Sequence, residues 1–203
     1  MRRQSRLAAT TTRMRGDQRA GERVFAVAAD LFYRESIRSV GVETIVKAAG
    51  VAKISLYRNF ASKDELIVAY LENRNAAYWR QIDRLMATRH DARGRLRALI
   101  AYVTGRATTR GYRGCPFINY AAEFPDSSHP GHRVVEKNKR EMRQRLAALS
   151  KAIGARRPGR LADALFLLIE GAYASSQTLG GRAGPGATLA RAAAALIAWH
   201  CRG

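Results

Sequence analysis

The sequence predicts an all-α chain of about nine helices. Apolar residues recur at three- and four-residue spacing in long segments, no apolar/polar alternation of strand type persists, and glycines and prolines punctuate the segment ends. With 203 residues, 47% apolar and 26% charged, the chain can bury a sizeable core in one or two small domains.

Residues 1–16 contain five arginines, no acidic residue and no sustained apolar period, which reads as a basic flexible arm. From Asp17 the pattern is helical: Val24, Val27, Ala28 and Leu31 fall at i, i+3, i+4 and i+7, flanked by Phe25 and Phe32, and the stripe stops near Glu35-Ser36. A connection over Ile37–Gly41 leads to a short helix, Val42–Ala49, with Gly50 in the place of a helix-ending glycine. A second short helix covers Lys53–Phe60. Two helices of about two turns joined by a tight glycine turn make a helix-turn-helix.

Ser62 with Glu65 forms a capping box, so a long helix should start at Lys63 and run to about His90, with Leu71, Tyr78, Ile82 and Leu85 on one side. Leu96, Leu99, Ile100, Val103 and Ala107 mark the next helix, broken by Gly111 and Gly114. Pro116 suits a first helical position for a short helix ending at Glu123. Three last helices follow at about 131–155, 159–179 and 186–201, separated by Gly154 with Pro158 and by the glycines and proline of 180–186. The chain thus divides into the arm (1–16), a helix-turn-helix domain (17–63) and a helical remainder (64–203).

Lys and Arg number 36 against 16 Asp and Glu, a net charge of +20, which points to a polyanion or a charged surface as partner. No apolar stretch reaches the roughly 18 residues of a membrane span, and the basic start leads into no apolar signal core, so the expected location is the cytoplasm, away from the membrane. Residues 1–63 carry 13 basic and 5 acidic side chains and the rest 23 and 11, so basicity is not confined to the helix-turn-helix. Two cysteines, Cys115 and Cys201, make neither a disulfide scaffold nor a CxxC pair.

The segment from Gly50 to Leu66, GVAKISLYRNFASKDEL, resembles the DNA-binding signature of TetR-family transcriptional regulators, of the form AGV-x-K-x-x-LYR-x-F-x-SK-x-x-L. The chemistry of the residues agrees with the resemblance. Leu56 and Phe60, at i and i+4, share an inner face, leaving Lys53, Ser55, Tyr57, Arg58 and Asn59 for a DNA groove and its sugar-phosphate walls. Tyr57 can donate to a phosphate, Lys53 offers a point charge to the same backbone, and Ile54 suits a thymine methyl. The resemblance assigns phosphate contacts to Tyr57 and to Lys63, which also opens a helix N-terminus; Thr44 is a further candidate. Arginines of the arm would enter the minor groove or add counterion exchange. Ser36, Gly41 and Ala52 depart from the family's usual helix-ending and capping residues.

The family's fold implies a C-terminal domain that binds an effector and dimerises through its last two helices. Leu161, Leu165, Leu168, Ile169, Ala172 and Ser176 on one helix, with Leu189, Ala193, Leu196, Ile197 and His200 on the other, form stripes suited to that interface or to the subunit's own core. An effector pocket for a small apolar ligand would draw on Trp79, Ile82, Met86, Tyr102, Cys115, Phe117, Asn119, Tyr120, Phe124 and Phe166, the apolar ones each suiting ordinary core as well. Cys115, next to Arg113 and at a helix start, reads either as a buried small hydrophobe or as a reactive thiol, with Asn119 one turn along. His129 and His132 lack a third metal ligand, so neither metal nor cofactor is expected beyond an unidentified small-molecule effector.

An enzyme is the rival class, but no GxSxG elbow, P-loop or HExxH helix is present. A sequence-blind DNA-packaging protein would account for the charge but not for the large apolar C-terminal part. The expectation is a ligand-responsive regulator, a repressor, that binds a palindromic operator in double-stranded DNA as a homodimer and has no catalytic activity.

Overall fold

The computed structural model describes residues 2–201, with side chains from Asp17 onward. Among the described residues there are no strands and nine α-helices: α1 (Arg2–Arg34), α2 (Val42–Ala49), α3 (Lys53–Asn59), α4 (Lys63–Ala87), α5 (Ala92–Thr108), α6 (Pro116–Glu123), α7 (Gly131–Ala152), α8 (Pro158–Ser175) and α9 (Leu189–His200), the last preceded by a 3-10 turn at Pro185–Thr188. Eight of these follow the periodicity and punctuation of the sequence within a few residues.

The exception is α1, which starts at Arg2 and not at Asp17. Residues 2–16 are helical rather than an aperiodic arm. They have no proline and include Leu7, Ala8, Ala9, Met14 and several arginines, all good helix formers, so propensity carries the helix back without an apolar stripe. The arginines assigned to a minor groove or to counterion exchange fall on side chains outside those described.

Two compact units divide the chain: residues up to Glu72 together with Glu123–Gly131, and Asn73–Ala122 together with His132 onward. The boundary therefore lies inside α4, nine residues beyond the expected one, and the α6–α7 connection belongs with the first unit. In that unit Val24, Ala28 and Phe32 of α1, Ile45 and Val46 of α2, Leu56 of α3 and Leu66, Ile67 and Tyr70 of α4 share one core. The Phe32 and Tyr70 rings meet edge to face at 5.6 Å.

In the second unit α5, α8 and α9 supply most of the core, with Leu99, Val103, Leu165, Ile169 and Ala193 essentially inaccessible. This corrects the reading of the C-terminal stripes. Leu161, Leu165, Ile169, Ala172, Ser176, Leu189, Ala193, Ile197 and His200 are buried within the protomer and close the subunit's own core, while Leu168 and Leu196 are half-buried. The outward faces carry other residues. Leu167 is 69% and Trp199 59% exposed, and Gly171, Ala174, Ala194, Ala195 and Ala198 are also exposed.

Candidate nucleic-acid interface

Gly50 takes φ 61°, a left-handed conformation open to glycine at little cost. Its N–H and that of Val51 satisfy the last carbonyls of α2, Lys47 at 3.2 Å and Val46 at 3.1 Å. That turn re-aims the chain into α3. Neither Gly41 nor Ala52 supplies a side-chain cap, so the two short helices are held by burial of Ile45, Val46, Ala49 and Leu56 rather than by their ends. Ser62 does cap α4, accepting from the Glu65 N–H at 3.1 Å, and Glu65 reaches back to the Ala61 N–H at 2.5 Å, one residue before the position that the capping box predicts.

Leu56 is fully buried and Phe60 stacks on Phe25 with ring centroids 6.5 Å apart, so both expected anchors face inward. Ile54 is 61% and Tyr57 44% exposed on the opposite side of α3, alongside exposed Lys53 and Arg58; Thr44 is exposed on α2 and Ser55 half-buried. A large aliphatic side chain and a phenol held in water at apolar cost, flanked by cations, form a surface matched to a base edge and a phosphate.

Several of these side chains are engaged by the protein itself. The Lys53 ammonium lies 2.5 Å from Glu43 on α2, and this hydrogen bond raises its pKa. Arg58 pairs at 3.4 Å with Asp17 of α1. Asn59 does not point to a groove. Its amide donates to the Ser55 and Asp17 carbonyls at 2.8 and 3.3 Å, and it packs against Gly21 so closely that a Cβ there would stand 2.2 Å from its side-chain oxygen. Asn59 therefore ties α3 to α1, and the expectation of a DNA contact is corrected. Lys63 donates to the Arg38 carbonyl at 3.3 Å, and burial there pulls its pKa below the ordinary lysine value.

Because Glu43 neutralises Lys53 and would itself face phosphates, Glu43→Gln is expected to raise affinity for all DNA sequences and to steepen the slope of log K against log salt by about 1. Fluorescence anisotropy across a salt series measures both.

The α1–α2 corner carries a clasp that sequence reasoning missed. The Glu123 carboxylate accepts from the Ser36 hydroxyl at 2.8 Å and from the Arg38 N–H at 2.9 Å, while the Arg38 guanidinium donates to the Glu123 carbonyl at 3.1 Å. Ser36, one of the departures from the family pattern, thus has a partner that glycine would lack. In the same connection His129 packs against Phe124 with the rings tilted by 51° and their centroids 4.5 Å apart, and lies 3.4 Å from Asp64. Phe124 is therefore part of the first unit, not of an effector pocket. No periodicity links Glu123 to residues 85 and 87 positions earlier, so no sequence signal announced it.

In the second unit, Tyr78, Cys115, Phe117, Lys139, Met142, Glu170 and Tyr173 are among the residues that enclose a cavity of about 30 Å³. Of the residues expected to line an apolar pocket, only Cys115 and Phe117 border it. Trp79 is buried under the Arg145 guanidinium, 4.2 Å from its ring centroid, and Ile82 is plain core. Met86 lines an open surface groove with Arg145 and Leu149. Tyr102 packs on Tyr78 at 5.9 Å, Tyr120 on His132 at 5.2 Å, and Phe166 is half-buried on α8. Asn119 donates to the Arg113 carbonyl at 2.8 Å and accepts from Gln177 at 3.0 Å, so it braces the loop before α6. Lys139 joins Cys115 and Glu170, its ammonium 3.7 Å from the sulfur and 2.7 Å from the carboxylate.

Among the described residues no cluster of three potential metal ligands occurs and no helix is long and apolar enough to cross a membrane. A search of curated proteins finds no match. The model of bacterial regulatory proteins of the tetR family matches residues 24–70, and that of the tetracyclin repressor-like C-terminal domain matches residues 92–195. Among solved structures, a TetR-family transcriptional regulator from Streptomyces coelicolor is 27% identical with a TM-score of 0.82, covering 90% of this chain and 96% of that one. A TetR-type regulator from Streptomyces avermitilis is 33% identical with a TM-score of 0.71, covering 78% and 86%. One from Chloroflexus aurantiacus is 26% identical with a TM-score of 0.74, covering 91% and 96%. The helix-turn-helix in the first match and the helical domain in the second correspond to the two units of this fold, and the chain belongs to the TetR family of DNA-binding transcriptional regulators.

Proposed function

We propose that the protein is a cytoplasmic repressor that binds a two-fold symmetric operator as a homodimer and leaves it when a small molecule enters the second unit. The observation that carries this reading is the outward face of α3, where Ile54 and Tyr57 stand exposed between Lys53 and Arg58 while Leu56 and Phe60 hold the helix from behind. Of the expected contacts, Thr44, Lys53, Ile54, Tyr57 and Arg58 retain the exposure that a groove requires. Lys63 gives one of its three ammonium protons to the Arg38 carbonyl and would meet a phosphate with the others.

A palindrome needs two readers about one turn of DNA apart, or a multiple of it, hence a two-fold dimer. The outward Leu167 and Trp199 on α8 and α9 supply an apolar surface for it, in place of the stripes now assigned to the core. Effector control would run along α4, 25 residues long, which starts at Lys63 in the first unit and carries Tyr78 of the cavity in the second. A ligand that binds one tilt of this helix better than another shifts the population of DNA-competent dimers.

Selecting bound fragments from random DNA and sequencing them tests the proposal: a palindrome with half-sites 10–11 base pairs apart, or a multiple, is expected. Binding with a steep salt slope and no recovered consensus would instead identify a packaging protein. Tyr57→Phe should weaken binding to every sequence by about 0.5–1.5 kcal/mol, the net worth of one hydrogen bond. Lys53→Ala should reduce the salt slope by about 1. Unchanged affinity in both variants would remove α3 from the interface.

A further inference from the structure

The cavity of the second unit has a chemical bias that narrows what it can hold. Lys139 and the Tyr78 and Tyr173 hydroxyls share a lining that holds a single carboxylate. Lys139 donates to Glu170 at 2.7 Å and approaches the Cys115 sulfur at 3.7 Å, yet an ammonium has three protons to place. The Tyr78 hydroxyl is buried beside the Tyr173 phenol and makes no hydrogen bond of good geometry. Burial drives both phenols well above the ordinary tyrosine pKa, so they remain protonated donors at any physiological pH. Glu170, which Lys139 already occupies, is the one carboxylate in the lining. Beside Glu170 the ammonium meets only the weakly accepting Cys115 sulfur, so what it lacks is a second strong acceptor, and an anionic one serves a lysine best.

The rest of the lining favours a flat, unsaturated body. Phe117, Tyr112 and Met142 contribute two aromatic rings and a thioether rather than branched aliphatic groups. The closed volume of about 30 Å³ has room for a single water, so a larger occupant must part the walls. The Lys139–Glu170 pair is where they can part. Its side chains are 20% and 23% exposed and sit on α7 and α8, so Glu170 can turn to solvent when another anion takes Lys139.

We propose that this cavity binds a small planar carboxylic acid of the aromatic type, whose carboxylate replaces Glu170 on Lys139 and accepts a hydrogen bond from Tyr78. This refines the small apolar effector of the sequence reading. Its consequence for transcription rests on the proposed function, whereas the binding itself does not.

Benzoate, benzyl alcohol and benzylamine share one ring and differ in charge, so they serve as probes for the full-length protein by calorimetry and thermal shift. Benzoate is expected to bind and raise Tm, with the alcohol at least tenfold weaker and the amine without effect. Lys139→Met should lower benzoate affinity at least tenfold and Tyr78→Phe several-fold, while Glu170→Gln, which removes the competing anion, should raise it. Tyr78→Phe removes only a poorly bonded hydroxyl and should leave the ligand-free Tm within a degree or two, so its weaker binding cannot be put down to unfolding. No benzoate binding, equal binding by the alcohol, or undiminished affinity in both Lys139→Met and Tyr78→Phe would overturn the assignment. Operator binding of the ligand-free protein is measured in parallel. Benzoate bound through Lys139 by a protein with no DNA affinity would sink the regulator reading and leave the site standing; DNA binding with no benzoate uptake would do the reverse.

Discussion

Leu167→Asp combined with Trp199→Asp should yield a folded monomer whose operator affinity falls by about 10²–10⁴-fold, the factor by which a linked second module raises avidity. Both side chains are largely exposed in the single chain, so their replacement costs the protomer's core nothing. In a dimer the two aspartates of one protomer would face those of its partner across a desolvated two-fold interface, where unpaired like charges are costly. Light scattering after gel filtration gives the mass, and fluorescence anisotropy on the selected operator gives the affinity. A variant that stayed dimeric, or a monomer that bound the palindrome as tightly as the parent, would place the interface elsewhere.

Leu56→Ala should cost about 2–5 kcal/mol, the usual range for a truncated buried leucine, and should abolish DNA binding. Leu56 is the one fully buried side chain of the seven-residue α3, which has no capping side chain at its start. A helix this short has little stability of its own, so truncation of its one fully buried side chain releases Tyr57 and Ile54 from a fixed direction. The second unit has a separate core, so urea unfolding should resolve into two transitions, the earlier one shifted by the mutation and the later one not. A single transition shifted as a whole would show that the two units melt together.

Much of this fold was legible because its determinants are local. Gly50 ends α2, Ser62 caps α4, Pro116 and Pro158 open α6 and α8, and the 3.6-residue period of Val24, Ala28 and Leu96, Leu99, Val103 marks core faces; each signal operates within one or two turns of helix. The inner and outer faces of α3 were legible for the same reason.

What escaped depends on which element covers which. In α8 and α9 nearly every position is apolar or small, so periodicity found a stripe but could not tell an intramolecular partner from a second protomer, and the stripe proved to be the subunit's own core. Asn59 is polar at a position that a helical wheel places near the groove; what turns it inward is the missing side chain of Gly21, 38 positions earlier. The cavity's polar character arises from α4, the α5–α6 connection, α7 and α8 together, and a list of aromatic residues could not foresee that Lys139 and Glu170 would meet among them. Asp91, whose carboxylate caps α5 through the Gly94 N–H at 2.5 Å, was readable in principle from its place before the helix.

Because the Glu123 clasp on Ser36 and Arg38 belongs to the DNA-reading unit, that unit is assembled from two stretches of the gene. A fragment ending at Glu72 would encode three whole helices and the start of α4, with their first corner untied. Chimeras that exchange readers between relatives would inherit the same problem, since a transplanted corner meets a foreign connection unless residues 123–131 travel with it. Modular swapping in this protein is thus a two-cut operation.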